Sequence, residues 1–146
     1  MIDRGQGRGV VCFDADRDGD IDIFVANNSQ SHEYYRNDLE PRGNFLQVRL
    51  RGEGMNREAV GARIYVTTGS LTQMHELRSG SNYVSQQPCE AHFGLGTATT
   101  VDRLTVVWPD GEVDLFHDIP SNRFLFLEKE KNHPRSLLRR SWDRRP

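Results

Sequence analysis

The 146-residue sequence has no long apolar run, few cysteines and little excess charge of either sign. No stretch approaches the roughly 18 consecutive apolar residues that span a bilayer, so we expect no membrane span. The first nine residues, MIDRGQGRG, lack the apolar middle of a signal peptide. A formal net charge of −2 argues against a general nucleic-acid binder, whose charge would be plainly positive. We therefore expect neither a membrane span nor a nucleic-acid partner.

The near-zero net charge hides an asymmetry between the two ends of the chain. Residues 1–40 carry nine acidic and four basic side chains, whereas residues 129–146 carry seven basic and two acidic ones. We interpret residues 129–146 as a solvated, flexible basic tail, and the alternative is an arm for nucleic acid or anionic membranes. Two cysteines, Cys12 and Cys89, allow one disulfide or none; the sequence does not decide, with buried free thiols slightly favoured.

Helical periodicity of useful length is absent before residue 135, and short alternating runs stand in its place. In residues 46–51, for example, Leu46, Val48 and Leu50 alternate with polar side chains. Similar runs cover residues 62–67, 104–108, 113–116 and 124–127, with Gly, Asn, Asp and Pro between them. The sequence Pro109-Asp110-Gly111 predicts a turn, after which residues 113–116 return as a hairpin partner. At least six strands are expected within residues 44–128, which predicts an all-β fold with a β-sandwich.

This pattern divides the chain into four parts. Residues 1–28 form an N-terminal unit with an acidic loop, and the polar, turn-rich residues 29–43 are expected to be a connector. Residues 44–128 form the β-sandwich domain, and residues 129–146 form the tail. The length suits one ordinary domain with a small appendage and is sufficient for a core without disulfides.

The strongest chemical signal is a run of five carboxylates within nine residues, which repel one another unless a cation lies among them. Three of them occupy positions 1, 3 and 5 of a calcium loop, and Gly19 takes position 6, where the chain turns sharply. Position 7 supplies a backbone carbonyl, and the carboxylate at position 9 closes the site directly or through water. The predicted metal ligands are Asp14, Asp16, Asp18, Asp20 (through its carbonyl) and Asp22.

The residues around this loop favour calcium in a strand–loop–strand setting. Hard oxygen ligands in this number suit Ca²⁺ better than Mg²⁺ or Zn²⁺. Position 12, where an EF-hand has a bidentate Glu, is Val25, and the apolar flanks alternate as strands do. Because no open coordination position is evident, we expect a structural ion and not a catalytic one. The alternative is a solvated acidic hairpin with no metal.

Two known families share these motifs. The stretch VVCFDADRDGDIDIFVANN resembles an FG-GAP (VCBS-type) repeat, the calcium-binding strand pair of integrin-like β-propellers. The following residues resemble the ASPIC/UnbV domain, which comes after such repeats in cartilage acidic protein-like proteins. The motifs that carry this second resemblance are Tyr35-Arg36-Asn37, NREAVGAR at 56–63, YVSQ at 83–86, HFGLG at 92–96 and VWPDG at 107–111.

The resemblance implies a calcium-binding, non-catalytic interaction or adhesion module in an extracellular or periplasmic location. It carries the five aspartates over as ligands. One loop corresponds to about half of a four-stranded propeller blade. Such a hairpin is marginal alone, so we expect a partial blade at the C-terminal end of a larger protein, with self-association through the hairpin as another way to complete it.

Two other functions remain as alternatives to the interaction module. A calcium-dependent carbohydrate-binding module would use the faces of Tyr34, Tyr35, Tyr83 and Trp108, although Trp108 is in phase with core residues. The second alternative function is an accessory domain of an enzyme in secondary metabolism. A thiol nucleophile system could be drawn from Cys89, His92 and Asp102, but catalysis by the chain itself is not expected, because Cys89 and His92 would lie on opposite faces of a strand. The partner is then a protein or a glycan.

Overall fold

The computed structural model describes residues 5–80 and 82–129, and every regular element in these ranges is a β-strand. The all-β prediction is therefore confirmed. None of the described residues forms a helix with the length and apolar character that a membrane span requires. The chain has two compact units. The first contains the described residues of Met1–Arg42 and Ser79–Pro88, and the second those of Gly43–Arg78 and Cys89–Pro146. The predicted tail falls, except for Lys129, outside the described residues.

The first unit is a three-stranded antiparallel sheet in the order β1-β2-β3. Its strands are β1 (Gly7–Phe13), β2 (Asp22–Asn27) and β3 (Glu33–Tyr35). The third strand lies inside residues 29–43, which the sequence suggests to be a connector, and it pairs Tyr35 with Ile23. Three residues are too few for period-two alternation to distinguish a strand from a polar loop, which is why sequence reasoning missed β3.

The outer edge of β1 is covered by side chains from residues 82–87. The carbonyl oxygen of Val10 accepts hydrogen bonds from Asn82 Nδ2 at 2.9 Å and Ser85 Oγ at 2.8 Å. The amide of Cys12 donates to Gln87 Oε1 at 2.9 Å. Since an uncovered edge strand offers its polar groups to other chains, these contacts protect β1 from strand addition at these positions.

The second unit is built from two sheets whose inner faces share one hydrophobic core, so the predicted β-sandwich is confirmed. One sheet has the order β10-β4-β7, with β10 parallel to β4, and the other has the order β6-β5-β8-β9. The seven strands are β4 (Asn44–Arg51), β5 (Arg63–Thr68), β6 (Leu71–Glu76), β7 (Glu90–Gly96), β8 (Thr100–Val107), β9 (Val113–Pro120) and β10 (Arg123–Glu128).

Alternation along the strands places apolar side chains in this core. Leu46, Val48 and Leu50 on β4 are almost completely buried, as are Ile64 on β5 and Leu104 on β8. Burying one such side chain fully contributes about 1.5–3 kcal/mol, which makes these strands the main source of the unit's stability.

Three smaller predictions can also be compared with the structure. Trp108 is 3% exposed and belongs to the core, as its phase with β8 indicates. The turn after it joins β8 to β9 as an antiparallel hairpin. Cys12 and Cys89 form no disulfide in the described part of the chain, and both are only partly buried.

Candidate metal centre

The aspartate loop closes the hairpin between β1 and β2, because Phe13 at the end of β1 pairs with Asp22 at the start of β2. Within the loop, Asp14 Oδ1 accepts the amide of Asp18 at 3.1 Å, and Asp14 Oδ2 accepts the amide of Gly19 at 3.0 Å. Gly19 has a φ of 99°, which L side chains rarely adopt, so the predicted sharp turn at this position is confirmed.

Three of the predicted ligands come together in this loop. One potential ligand atom from each of Asp14, Asp16 and Asp18 lies within 4.8 Å of the others. Asp14 is buried, Asp18 is half-buried and Asp16 is exposed. Three carboxylates at this separation can hold a metal ion, and their oxygens are the donors that hard cations prefer. Asp20 and Asp22 do not belong to this group of side-chain oxygens.

The Asp22 carboxylate, which is 1% exposed, connects the loop to Tyr34 and Asn37. Its Oδ2 accepts the amide of Ala15 at 3.0 Å and the hydroxyl of Tyr34 at 3.0 Å, and its Oδ1 accepts the amide of Asn37 at 2.8 Å. Burial by itself would raise the pKa of Asp22, but these three hydrogen bonds outweigh it and hold the pKa below its usual value. Asp22 therefore stays ionised and fixes the base of the loop.

The charge of Asp14 is less well compensated than that of Asp22. Burial raises the pKa of Asp14 above its usual value, and the Asp18 charge adds to this, although backbone donors act in the opposite direction. Asp20 Oδ2 is buried and accepts no hydrogen bond, but the Nε of Arg42 lies 3.3 Å away and forms an ion pair with it. The raised pKa of Asp14 fits a bound cation, because a positive charge inside the loop would stabilise the ionised form of this carboxylate.

Arg42 supplies a positive charge to the loop from within the first unit. Its Nη2 lies 2.8 Å from Asp18 Oδ2, and its Nε lies 3.3 Å from Asp20 Oδ2 and 3.5 Å from Glu40 Oε1. Sequence reasoning missed this residue, because nothing in the spacing of an arginine 20 or more residues from the loop aspartates indicates that it folds back onto them.

The aromatic residues considered for sugar binding separate into two groups. Tyr83 is 81% exposed and Tyr34 is 48% exposed, so both present ring surface to solvent. Tyr35 is half-buried and its hydroxyl donates to Glu33 at 2.7 Å. Trp108 is in the core and donates through Nε1 to Asp114 at 2.8 Å, which makes it unsuitable as a stacking platform.

The residues that could be drawn as a thiol nucleophile system belong to different parts of the second unit. His92 lies on β7 in the three-stranded sheet and stacks on Phe45 with ring centroids 5.9 Å apart. Asp102 lies on β8 in the four-stranded sheet, and its Oδ2 accepts the Gly69 amide at 2.6 Å. Cys89 precedes β7, with its Sγ 4.0 Å from the carbonyl oxygen of Arg78.

Comparison with known proteins establishes the family of this chain. The family model described as "ASPIC and UnbV" matches residues 52–134, which is more than half of the sequence. The chain belongs to this family. The matched residues begin after the aspartate loop, so the similarity of residues 9–28 to an FG-GAP repeat stays a prediction.

Curated relatives carry the same name in three vertebrates. The chain is 31% identical over 115 residues to cartilage acidic protein 1 of Homo sapiens, and 29% identical over 113 residues to cartilage acidic protein 1 of Xenopus tropicalis. Each alignment covers 75% of this chain but 17% of the relative. The chain therefore spans less than a fifth of the length of the curated relatives that it matches.

Proposed function

We propose that this protein is a calcium-binding, non-catalytic interaction or adhesion module that acts in an extracellular or periplasmic location. The observation that carries the calcium proposal is the convergence of Asp14, Asp16 and Asp18 on one point of the β1–β2 loop. The family membership and the matches to cartilage acidic protein 1 support a module that belongs to a longer protein.

In this proposal the five aspartates have different roles around the ion. Asp14, Asp16 and Asp18 bind Ca²⁺ through side-chain oxygens, and Asp20 binds through its backbone carbonyl. Asp22 closes the site directly or through water while holding the loop to the residues after β3. The ion is structural, because it stabilises the loop that connects β1 to β2. The first unit acts as a partial FG-GAP blade.

Thermal unfolding with Ca²⁺ or with EDTA tests this proposal. A ligand that binds only the folded state adds roughly 2.7 kcal/mol at one hundred times its Kd, which is visible as a rise in Tm. Asp16→Ala removes the ligand oxygen and should abolish that rise, and Asp16 is suited to the test because its exposed side chain can change without disturbing buried packing. Asp38→Ala is the matched control, since it removes the same side chain from an exposed pair with Arg36.

Two results would contradict the calcium proposal. One is an equal Tm of the unaltered protein in Ca²⁺ and in EDTA. The other is a rise in Tm that survives undiminished in Asp16→Ala, because the ion would then bind elsewhere.

The partner remains a protein or a glycan, and self-association is restricted by the edges of the first sheet. Hydrogen bonds with Asn82, Ser85 and Gln87 already occupy polar groups on the outer edge of β1. We therefore propose that any pairing of this sheet with a second chain uses the opposite edge, at β3.

A calcium-dependent carbohydrate-binding module is the second candidate, and the exposure of Tyr83 favours it. A glycan array probed with and without Ca²⁺ distinguishes the two functions. The sugar module predicts calcium-dependent signals that are lost in Tyr83→Ala but kept in Met55→Ala, which also removes a fully exposed apolar side chain. Arrays without calcium-dependent signals would exclude the sugar module for the glycans displayed.

A further inference from the structure

We infer that Arg42 is an internal counter-cation of the aspartate loop and that it competes with Ca²⁺ for the carboxylates of Asp18 and Asp20. This inference rests on the proposed calcium site and adds what sets the affinity of that site. The loop is then an exchange site. Arg42 neutralises part of its negative charge when no metal is bound, and Ca²⁺ displaces Arg42 when it binds.

The geometry brings one guanidinium to two adjacent loop carboxylates. The Nη2 of Arg42 lies 2.8 Å from Asp18 Oδ2, and its Nε lies 3.3 Å from Asp20 Oδ2. The carboxylates are 18% and 17% exposed and the arginine side chain is 37% exposed, so the two ion pairs are only partly screened by water. Such a two-pronged contact is stronger and more directional than a single exposed ion pair.

The same carboxylates belong to the metal centre. Asp18 is one of the three side chains that converge in the loop, and its Oδ1 already accepts the amide of Asp20 at 3.0 Å. Its Oδ2 faces Arg42. A divalent ion held by Asp18 would lie near the guanidinium, and two cations that share one set of carboxylates repel each other. Binding of one therefore weakens binding of the other, and this coupling is reciprocal.

The two effects of removing the guanidinium have opposite signs. Without Ca²⁺, Arg42→Gln leaves the carboxylates of Asp18 and Asp20 uncompensated, so the folded protein should be less stable in EDTA. With Ca²⁺, the metal no longer has to overcome the arginine, so Kd should fall by about three- to tenfold, the range that two partly exposed ion pairs support. In saturating Ca²⁺ the difference in Tm between the variant and the unaltered protein should shrink or disappear.

Isothermal titration with CaCl₂ and thermal unfolding in EDTA and in saturating Ca²⁺ test the inference on the full chain. Arg36→Gln is the matched control, because Arg36 also lies near the loop and lowers the pKa of Asp22 through its charge, yet forms its ion pair with Asp38 at 2.8 Å. It should change the Kd less than Arg42→Gln does. Arg42→Lys keeps the charge without the planar fork and should give an intermediate Kd, and it also provides a measurement if Arg42→Gln fails to fold in EDTA.

The outcomes separate this inference from the calcium proposal. If the unaltered protein binds Ca²⁺ and Arg42→Gln binds it equally or more weakly, Arg42 orients the ligands or is a bystander, and the inference is overturned while the calcium site stands. If neither protein gives a heat of binding or a rise in Tm, both proposals fail. A tighter Kd in Arg42→Gln together with a lower Tm in EDTA supports competition.

Discussion

Replacing Asp22 by Asn is the most informative perturbation of the first unit, because it removes a charge while keeping the size of the side chain. Asp22 is 1% exposed and accepts three hydrogen bonds, from the Ala15 amide, the Tyr34 hydroxyl and the Asn37 amide. An Asn side chain has one acceptor oxygen and one donor group. In either orientation of the amide, at least one of the three donors must face an NH₂ group and lose its acceptor.

The magnitude follows from this count of donors. A buried donor without an acceptor costs about 1–3 kcal/mol, and each remaining hydrogen bond loses about 1 kcal/mol when its acceptor is no longer charged. With two bonds remaining, Asp22→Asn should destabilise the first unit by about 3–5 kcal/mol at neutral pH. That is a large part of the 5–15 kcal/mol typical of a whole domain, so the loss should be visible as local unfolding.

The dependence on pH identifies the charge as the cause. Hydrogen bonds hold the pKa of Asp22 below its usual value, so its contribution to stability is present above the unfolded value of about 3.9 and is lost as the pH falls through the lower folded pKa. The gap between the unaltered protein and Asp22→Asn should therefore be constant from about pH 5 to 7 and should shrink below about pH 3.9.

Amide hydrogen exchange at Ala15 and Asn37, measured by NMR, reports on this unit independently of the sandwich. Both amides should lose protection in Asp22→Asn at neutral pH. Tyr34→Phe is the comparison variant, since it removes one donor and leaves the carboxylate charged. Unchanged protection in Asp22→Asn, or a gap that persists undiminished at about pH 2.5, would refute the assigned role of the charge.

Two further substitutions test the turn and the core. Gly19→Ala places a Cβ on a residue with a φ of 99°, so it should destabilise the loop by about 1 kcal/mol or more and weaken Ca²⁺ binding, as measured by Tm and titration; an unchanged Kd would contradict the role of this turn. Leu104→Ala removes a side chain with 0% exposure and should cost about 2–5 kcal/mol in urea unfolding, whereas Leu71→Ala, at 58% exposure, should cost far less. Equal losses of unfolding free energy at the two positions would show that Leu104 on β8 does not contribute to the core.

The sandwich could be predicted because burial acts on every second residue of a strand. Leu46, Val48 and Leu50 alternate with polar neighbours in the sequence, and the same three side chains fill the inner face of β4. The turn at 109–111 was readable for a similar local reason, since Pro, Asp and Gly each favour turn geometry on their own. Local signals of this kind need no knowledge of the rest of the fold.

The parts that could not be predicted depend on contacts between residues far apart in the sequence. Asn82, Ser85 and Gln87 contact β1 although they lie more than 70 residues away in the sequence, and no pattern around them indicates this contact. The strand β3 has only three residues, and its pairing with β2 outweighs a composition that favours a loop. Such contacts are decided by tertiary packing and not by local preference.

The aspartate loop combines a local sequence signal with contacts that form only in the folded chain, and these contacts affect how the loop would respond to a metal. Its spacing could be recognised from sequence, yet the five identical residues face different demands once the chain folds. A carboxylate that already accepts three hydrogen bonds, as Asp22 does, gains little from a cation, because its charge is compensated. Asp14, whose pKa is raised by burial, and Asp18, whose counter-charge is the partly exposed side chain of Arg42, gain much more. Because the protein's own donors already shape the loop, Ca²⁺ would find a preorganised site and would add stability to a folded hairpin, instead of being required for the hairpin to form.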